Sequence, residues 1–391
     1  MSELHVSKEF PALLERLRAI APVLEQHAEH SEQIGRLDDE SVRALLGTGA
    51  MRIGIPHQLG GYEFSPLQAI ETIAEISYAD ASAGWSFMAV QLATGTTPAY
   101  LGWDCAQELY PSVADGEHAI IAGQGTKPGK AEPVEGGYLV SGDWQFASGI
   151  SMATHVHTAA HCAETGQTLV CTLPMERATL HDNWDVMGLR ATGSIDYAIR
   201  EAFVPAARTY EVATTDARLG GGLYRLGLAN MAGICHVGWA LGVGRRMLDE
   251  MRALAGKKTG APRATVDTGH FHAEYAKAEA KYRAARAFAA QLWASCERTL
   301  DAGERLSTEQ ETLTRLMLNH VTWSIHEVGQ TVYKWAGTTA LRRGVLQRFF
   351  RDLHAGTQHM TSGPVVLQNC GKVLGGLTEG HWAFFDLVEE E

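Results

Sequence analysis

The sequence lacks the features that mark several classes of protein. Lys and Arg number 33 against 45 Asp and Glu, which gives a formal net charge of −12. Because nucleic acids are bound through clustered Lys and Arg, no nucleic acid is expected as a partner. No apolar run reaches the roughly 18 residues of a transmembrane helix, and the chain does not begin with the basic and then apolar segments of a secretory signal. We therefore expect no membrane association.

Cysteine is scarce, and its spacing shows no pairing. The six cysteines include no Cys-x-x-Cys motif. This usage favours free thiols in a reducing cytoplasm over a disulfide framework or a zinc site. His155, His157 and His161 offer one alternative, because alternate residues of a strand share a face. Strand histidines are more often ordinary surface or core residues, so we predict no metal and a cytoplasmic protein.

The remaining sequence divides into three parts by pattern. Residues 1–115 carry apolar side chains at helical spacing, and residues 116–212 alternate short β-rich runs with turn residues. Residues 213–391 are again helical, with two long hairpins that suggest a four-helix bundle. The fold class predicted is α+β, with an N-terminal α-helical domain, a middle β-domain and a C-terminal four-helix bundle.

Particular segments can be assigned within these parts. A long apolar stretch from Leu67 to about Leu101 is broken near Asp80. The strands expected in the middle part are Tyr138–Val140, His155–Ala160, Thr168–Thr172 and Tyr197–Val204. The helices expected after it are Leu223–Leu254, Phe271–Leu300, Ser307–Trp335 and a last one from about Gly356. Glycines in the first of these helices indicate close helix–helix contacts.

Five segments, in order and spacing, resemble the acyl-CoA dehydrogenase superfamily over nearly the whole chain. They are Gly49–Pro56 with Gly60-Gly61, Gly142–Gly149, Trp184–Ser194, Phe203–Pro205 and Arg348–Asp352. The resemblance implies that the middle domain is a β-barrel or sandwich and that the protein uses a flavin.

The sequence departs from that family at the catalytic base. A dehydrogenase of this kind needs a carboxylate to remove a proton from its thioester substrate. The family's usual position, nine residues after Arg351, holds Met360, and no Asp or Glu occurs between Asp216 and Asp249. Neither of the family's two known base positions therefore holds a carboxylate. An acyl-CoA dehydrogenase-type oxidoreductase with a relocated base stays as an alternative.

Two of the departures resemble one branch of the superfamily, the two-component (group D) flavin-dependent monooxygenases. His359 follows Arg351 by eight residues, and Trp144-x-Phe146-x-Ser148-Gly149 replaces the dehydrogenase segment. This resemblance implies an oxygenase component that takes reduced FMN or FAD from a separate flavin reductase and uses O2 as co-substrate. Through a C4a-hydroperoxide it would hydroxylate a small aromatic substrate, indole- or phenol-like. Oxygenation of an amine nitrogen is a further alternative.

The resemblance also assigns roles to residues. Ser148 is expected at the flavin N5, and His359, an imidazole that titrates near neutral pH, is expected to deprotonate a phenol or hydrogen-bond the hydroperoxide. The role of His354 stays open. Expected substrate contacts are Trp85, His57, His118 and Met360. Expected flavin contacts are Trp144, Phe146, Ser148, Gly149, Thr192, Gly193, Ser194, Arg263 and Gly337. Because relatives use the glycine turn to reach a neighbour's flavin, a homotetramer is implied.

Overall fold

The computed structural model describes residues 7–389, which begin with five helices. Asp80 interrupts the long apolar stretch as predicted, because its Oδ1 accepts the backbone N–H of Ala83 at 2.8 Å and caps the second of the two long helices there. That helix, α4, is buried along almost its whole length. The five helices are α1 Glu9–Ile34, α2 Asp39–Gly47, α3 Pro66–Ala79, α4 Ala81–Tyr100 and α5 Trp103–Leu109.

Seven strands form one sheet in the order β5-β6-β2-β1-β3-β4-β7. β1 and β3 are parallel, and all the other neighbours are antiparallel. The four predicted strands are present as β2, β3, β4 and β6, but β1 was not predicted because its glycines and Pro128 conceal its pattern. The strands are β1 Ile121–Val134, β2 Gly137–Trp144, β3 His155–His161, β4 Thr168–Pro174, β5 Thr179–His181, β6 Asp196–Pro205 and β7 Thr209–Glu211.

Long helices return after the sheet. The expectation of a last helix from about Gly356 is wrong, because α10 ends at that residue and a further helix begins at Pro364, a favoured first position. A short hairpin, β8–β9, follows. The elements are α6 Gly227–Lys258, α7 Gly269–Asp301, α8 Thr308–Ala336, α9 Thr338–Leu341, α10 Val345–Gly356, α11 Pro364–Leu374, β8 Gly380–Ala383 and β9 Asp386–Glu389.

Helix α6 is the central helix of the C-terminal part. It is long and apolar enough to cross a membrane by composition, but 94% of its most apolar window is buried inside the protein, which is typical of a core helix. A Cβ on Gly238 would lie 2.8 Å from the Ile70 carbonyl oxygen, and one on Gly242 would lie 2.3 Å from that of Ala74. The glycines therefore let α6 pack closely on α3, as predicted.

The fold class is α+β, as predicted, with helical parts before and after one sheet. Helices α4, α6 and α10 meet the sheet at one place. The walls of that junction come from distant parts of the sequence, and they enclose a cavity of about 800 Å³.

Candidate active site

A cavity of about 800 Å³ lies between the sheet and the helices. This volume suits a flat aromatic cofactor together with a small substrate. The helices contribute mainly apolar side chains, namely Trp85, Met88, Ala89, Leu92, Leu228, Ala232, Cys235 and His236. The sheet and its loops contribute Gln124, Thr126, Lys127, Gln145, Phe146, Ser148, His157, Trp184, Met187 and Ser194.

A chain of hydroxyl groups runs along one wall of the cavity. The Trp85 indole Nε1–H donates to Ser148 Oγ at 3.0 Å, and Ser148 Oγ lies 2.7 Å from Ser194 Oγ. Ser194 Oγ lies 2.6 Å from Thr192 Oγ1, which lies 2.8 Å from the Leu189 carbonyl oxygen. Ser148 and Ser194 line the cavity, and Thr192 lies behind them, so the two serines present an ordered polar edge.

The backbone brings these hydroxyls together. The Ala147 N–H donates to the Ile195 carbonyl at 3.1 Å, and the Gly149 N–H donates to the Thr192 carbonyl at 2.9 Å. A Cβ on Gly149 would lie 2.7 Å from Val90, so the turn after Ser148 can approach α4 only with glycine there. Two separate segments of the sequence are thereby held side by side at the cavity wall.

The loop before β6 is anchored to α10 through Leu189. Its N–H donates to Asp352 Oδ1 at 2.6 Å, and its carbonyl oxygen accepts from the Trp184 indole at 3.1 Å. Leu189 adopts a left-handed conformation with φ 56°. A Cβ on Gly188 would lie 2.1 Å from the Arg351 carbonyl oxygen, so only glycine allows this approach. Asp352 thus holds the loop that carries Trp184 and Met187 to the cavity.

Asp352 is itself fully buried next to a second carboxylate. Burial and then the charge of Asp80 raise the pKa of Asp352 to about 7. Ser82 donates to the other oxygen of Asp352 at 3.3 Å, and Arg348 lies 3.3 Å from Asp80 Oδ2. The guanidinium of Arg348 pairs with Asp80, and the Asp80 carboxylate next to the buried Asp352 favours a neutral Asp352.

Two histidines lie against each other at the helical side of the cavity. The ring centroids of His236, on α6, and His359, after α10, are 4.0 Å apart. The Trp85 indole packs edge-on against both rings, at 5.1 Å from His236 and 5.9 Å from His359. Trp239 completes this cluster at 4.8 Å from Trp85. The pair therefore sits among aromatic rings at one corner of the cavity.

Burial decides the protonation state of this pair. Burial lowers the pKa of His359 to about 4. Burial also lowers the pKa of His236 well below its ordinary value, and the neighbouring His359 lowers it further. Burial therefore holds the pKa of His359 below the near-neutral range that was expected from the sequence. His359 Nδ1 accepts the Thr361 N–H at 3.4 Å and lies 2.9 Å from the Thr361 hydroxyl. Because a backbone N–H can only donate, the ring proton is on Nε2.

His354 belongs to a second histidine pair. It lines the cavity, and its Nδ1 lies 2.8 Å from His326 Nε2 on α8. Burial and then the charge of His354 lower the pKa of His326. The ring of His354 also stacks on Phe350 with centroids 6.2 Å apart. His354 is thus held at the rim by its neighbours on α8 and α10.

The structure brings six of the predicted site residues together in the cavity wall: Trp85, Phe146, Ser148, Ser194, His359 and Met360. Of three others, Gly149 and Thr192 lie just behind the wall, whereas Gly193 lies against Gly35 and Arg36 after α1. Trp144 instead packs in the core of the sheet, where it stacks on Tyr197 and its indole donates to the Ala159 carbonyl at 3.0 Å.

The four remaining predicted residues lie away from the cavity. His57 lies exposed beside Gly61, with its Nδ1 3.0 Å from that carbonyl oxygen. His118 stacks on Tyr110 and its Nδ1 lies 3.0 Å from the Ala119 carbonyl oxygen. Arg263 and Gly337 are exposed on turns between helices, both with positive φ. In this chain they contact no part of the cavity.

Sequence reasoning missed several lining residues. His236 is a polar residue inside the apolar, glycine-rich α6, and that isolation is the signal that could have found it. His157 was considered only for a metal, yet it lines the cavity with its pKa lowered by burial to about 4. Phe384 and Phe385 reach the cavity from the unpredicted hairpin. Within residues 7–389 no group of three His, Cys, Asp or Glu side chains could hold a metal ion.

The lining contains no carboxylate. Among residues 7–389, neither an Asp nor a Glu is part of the cavity wall. The position nine residues after Arg351 presents the half-exposed side chain of Met360. A relocated base for proton removal from an acyl-CoA is therefore not found in this cavity.

The cavity fits a flavin ring system. Phe146 and Trp184 pack edge to face with centroids 6.2 Å apart, and Phe146 is 63% exposed at the cavity mouth. Both rings line the cavity, so they are available to a flat ligand bound there. Ser148 and Ser194 supply the polar edge that the ring nitrogens of an isoalloxazine require. The isoalloxazine ring has two apolar faces and a polar edge, and the cavity offers matching surfaces.

Comparisons with known proteins agree with the geometry. The family models of the acyl-CoA dehydrogenase N-terminal and C-terminal domains match residues 8–117 and 234–363. Indole-3-acetate monooxygenase of Pseudomonas putida is 31% identical over 94% of this chain and 93% of its own. The oxygenase subunit HsaA, a flavin-dependent monooxygenase of Rhodococcus jostii, is 27% identical over 90% of this chain and 94% of its own. The crystal structure of 3-HSA hydroxylase from Rhodococcus sp. RHA1 superposes with a TM-score of 0.87, at 24% identity over 96% and 98% of the two chains.

The fold and the site are those of an acyl-CoA dehydrogenase-like flavoprotein. Within that superfamily the chain belongs to the flavin-dependent monooxygenases. It is the oxygenase component of a two-component system, which uses reduced flavin and O2.

Proposed function

We propose that this oxygenase hydroxylates a small aromatic substrate, indole- or phenol-like, bound between α4, α6 and the turn after α10. The observation that carries the proposal is the half-buried, neutral His236–His359 pair in a cavity without carboxylates. Such a corner excludes an acyl-CoA reaction that needs a base. It favours a flat, electron-rich ring that can pack on Trp85 and Met88.

The chemistry divides between cofactor and protein. Reduced flavin supplies two electrons and activates O2, so that one oxygen atom enters the substrate and the other leaves as water. Ser148 and Ser194 hold the polar edge of the flavin ring. Trp85, Met88 and Leu92 exclude water from the reacting centre.

His359 would act as a hydrogen-bond donor through Nε2–H. With its pKa lowered to about 4 it is a poor base, but the Nε2–H can bond a phenol or indole oxygen or nitrogen, or the oxygen being transferred. His236 packs on the ring and helps to keep it neutral. Met360, next to it, forms part of the substrate wall.

The remaining proposals concern assembly and supply. We propose that a separate flavin reductase delivers reduced FMN or FAD and that the protein is cytoplasmic, in keeping with its six buried, unpaired cysteines. We propose a homotetramer in which Arg263 and Gly337 of one subunit reach the flavin of the next. Exposed apolar side chains near the C-terminal end support such contacts, namely Leu341, Val365, Leu367, Leu374 and Leu377.

The test supplies flavin reduced chemically, without a reductase, to the purified protein in oxygenated buffer. A panel of indoles, phenols and amines is screened for products by mass spectrometry, and acyl-CoA thioesters are tested anaerobically for bleaching of oxidised flavin. A hydroxylated indole or phenol supports the proposal. Bleaching by an acyl-CoA, or oxygenation confined to amine nitrogen, would contradict it. Light scattering of the same sample tests the tetramer.

A further inference from the structure

We propose that Thr192 and Ser194 are positioning residues that fix the direction of the hydroxyl chain, so that Ser148 can only accept a hydrogen bond from the cavity. The cavity would then select reduced flavin, which carries an N5–H, over oxidised flavin, whose N5 carries a lone pair. This inference rests on the proposed function in one respect, that the flavin N5 lies at Ser148.

The direction of the chain is set at its inner end. The Leu189 carbonyl oxygen has no hydrogen, so Thr192 Oγ1, at 2.8 Å, must donate to it. A hydroxyl has one hydrogen, and that of Thr192 is now used. Ser194 Oγ lies 2.6 Å from Thr192 Oγ1 and must therefore donate to Thr192. Each step leaves one choice for the next hydroxyl.

The same logic reaches Ser148 from both sides. Ser194 has used its hydrogen, so Ser148, at 2.7 Å, must donate to Ser194. Trp85 Nε1 is a donor only, and it occupies one lone pair of Ser148 from 3.0 Å. Only the second lone pair of Ser148 Oγ is available to a ligand in the cavity. A donor in the ligand completes its hydrogen bonds, whereas an acceptor placed there is repelled.

The anchor of the chain is rigid. The Leu189 N–H is held by the buried Asp352 at 2.6 Å, and its carbonyl also accepts from Trp184. The two serine segments are joined by the backbone hydrogen bonds of Ala147 and Gly149. Ser148 and Ser194 are both buried, with less than a tenth of their surface exposed. The carbonyl therefore cannot turn away, and the polarity persists when the cavity is empty.

The polarity of Ser148 changes the relative affinity for the two forms of flavin. Reduced flavin makes one hydrogen bond to Ser148, whereas the N5 lone pair of oxidised flavin is repelled by it. A hydrogen bond of this kind changes an affinity by about tenfold. Ser194→Ala removes the acceptor for the Ser148 hydrogen, and Thr192→Val removes the acceptor for the Ser194 hydrogen. In both variants the Ser148 hydrogen is free to turn to the cavity and donate to the N5 of oxidised flavin.

The experiment measures dissociation constants of oxidised and of anaerobically reduced FMN and FAD by ultrafiltration. We expect the wild type to favour the reduced form. In Ser194→Ala and Thr192→Val we expect that preference to fall by about tenfold, which lowers the midpoint potential of bound flavin by about 30 mV for a two-electron couple. Thr192→Ser, which keeps the hydroxyl, should restore the wild-type ratio.

Thr172→Val is the matched control. Thr172 is a buried threonine of β4 whose hydroxyl has no hydrogen-bond partner within residues 7–389, and it does not line the cavity. It should leave the ratio unchanged. If Ser194→Ala and Thr192→Val weaken both forms equally, as a loosened wall would, the inference is overturned. It is equally overturned if the wild type shows no preference for reduced flavin.

The binding ratio needs no substrate, so it separates this inference from the proposed function. A shifted ratio with no oxygenated indole or phenol would sustain the polarity of Ser148 and contradict the proposed reaction. If the wild type oxygenates an indole or phenol but the binding ratio does not shift in Ser194→Ala and Thr192→Val, the proposed reaction is supported and the polarity of Ser148 is contradicted.

Discussion

The imidazole rings of His236 and His359 lie with centroids 4.0 Å apart and planes inclined by 37°. The two residues are 123 positions apart in sequence, on α6 and in the turn after α10. Both are kept neutral by burial, so they contact each other without charge repulsion. His359 lines the cavity next to Met360, the position at which dehydrogenases of the same fold need a carboxylate.

Removal of His359 tests its role directly. His359→Ala should lower the rate of substrate oxygenation by about 10²-fold, because the hydrogen bond from Nε2 is lost where the oxygen is transferred. Binding of reduced flavin should change little. The measurement is product formed per flavin consumed, with H2O2 as the uncoupled product. His161→Ala, exposed at the end of β3, is the control, and unchanged turnover in His359→Ala would remove His359 from the reaction.

The buried His157 should make stability depend on pH. Its folded pKa of about 4 lies below the ordinary 6.5, so the unfolded chain binds this proton more readily. Its contribution is complete above pH 6.5 and is lost as the pH falls toward 4, by up to about 1.4 kcal/mol per pH unit. His157→Leu should flatten this part of the dependence in urea unfolding. A slope in His157→Leu as steep as in the wild type would contradict the assignment.

The Asp352 carboxyl should act chiefly as an acceptor for the Leu189 N–H. Asp352→Ala leaves that buried N–H without a partner and should cost about 1–3 kcal/mol of stability. Asp352→Asn keeps a carbonyl acceptor and loses a charge that burial already disfavours, so it should cost less. Thermal unfolding of both variants measures the difference. Equal losses would show that charge, and not this hydrogen bond, anchors the loop.

Gly188 should tolerate no side chain. A Cβ there would lie 2.1 Å from the Arg351 carbonyl oxygen, so Gly188→Ala must displace the loop from α10. We expect a loss of about 1–3 kcal/mol and weaker flavin binding, because the loop carries Trp184. Gly371→Ala is the contrasting variant, since nothing lies within 4 Å of a Cβ at that helical position. It should stabilise the protein by about 0.4–1 kcal/mol, and a Gly188→Ala variant of wild-type stability would refute the close contact.

Local patterns sufficed for most of the fold. The Asp80 break, the four strands and the long α6, α7 and α8 each depend on residues near in sequence, namely a capping carboxylate, turn residues and apolar spacing. β1 escaped prediction because its glycines serve its packing on β3: a Cβ on Gly123 would lie 1.9 Å from the His157 carbonyl oxygen. The β8–β9 hairpin owes its place to Trp382, which donates to Thr312 on α8.

The site was predicted in part for the same reason. Ser148, Ser194 and His359 lie in segments with a recognisable pattern, whereas the partner of His359 comes from a helix whose pattern is that of a buried core. The pKa of His359 could not be read from the sequence, since it depends on burial by the surrounding helices. His57 and His118 were chosen as isolated histidines. Each is instead held near a backbone carbonyl outside the cavity.

The central claim is that this chain transfers one atom of O2 to an aromatic ring held at His359. The most direct test is a single turnover with chemically reduced flavin, an indole or phenol, and isotope-labelled O2, followed by mass spectrometry of the product. The account predicts one labelled oxygen atom in each product molecule and a matching loss of label to H2O2 in His359→Ala. Unlabelled product, or complete conversion of O2 to H2O2 by the wild type with every aromatic tested, would contradict it.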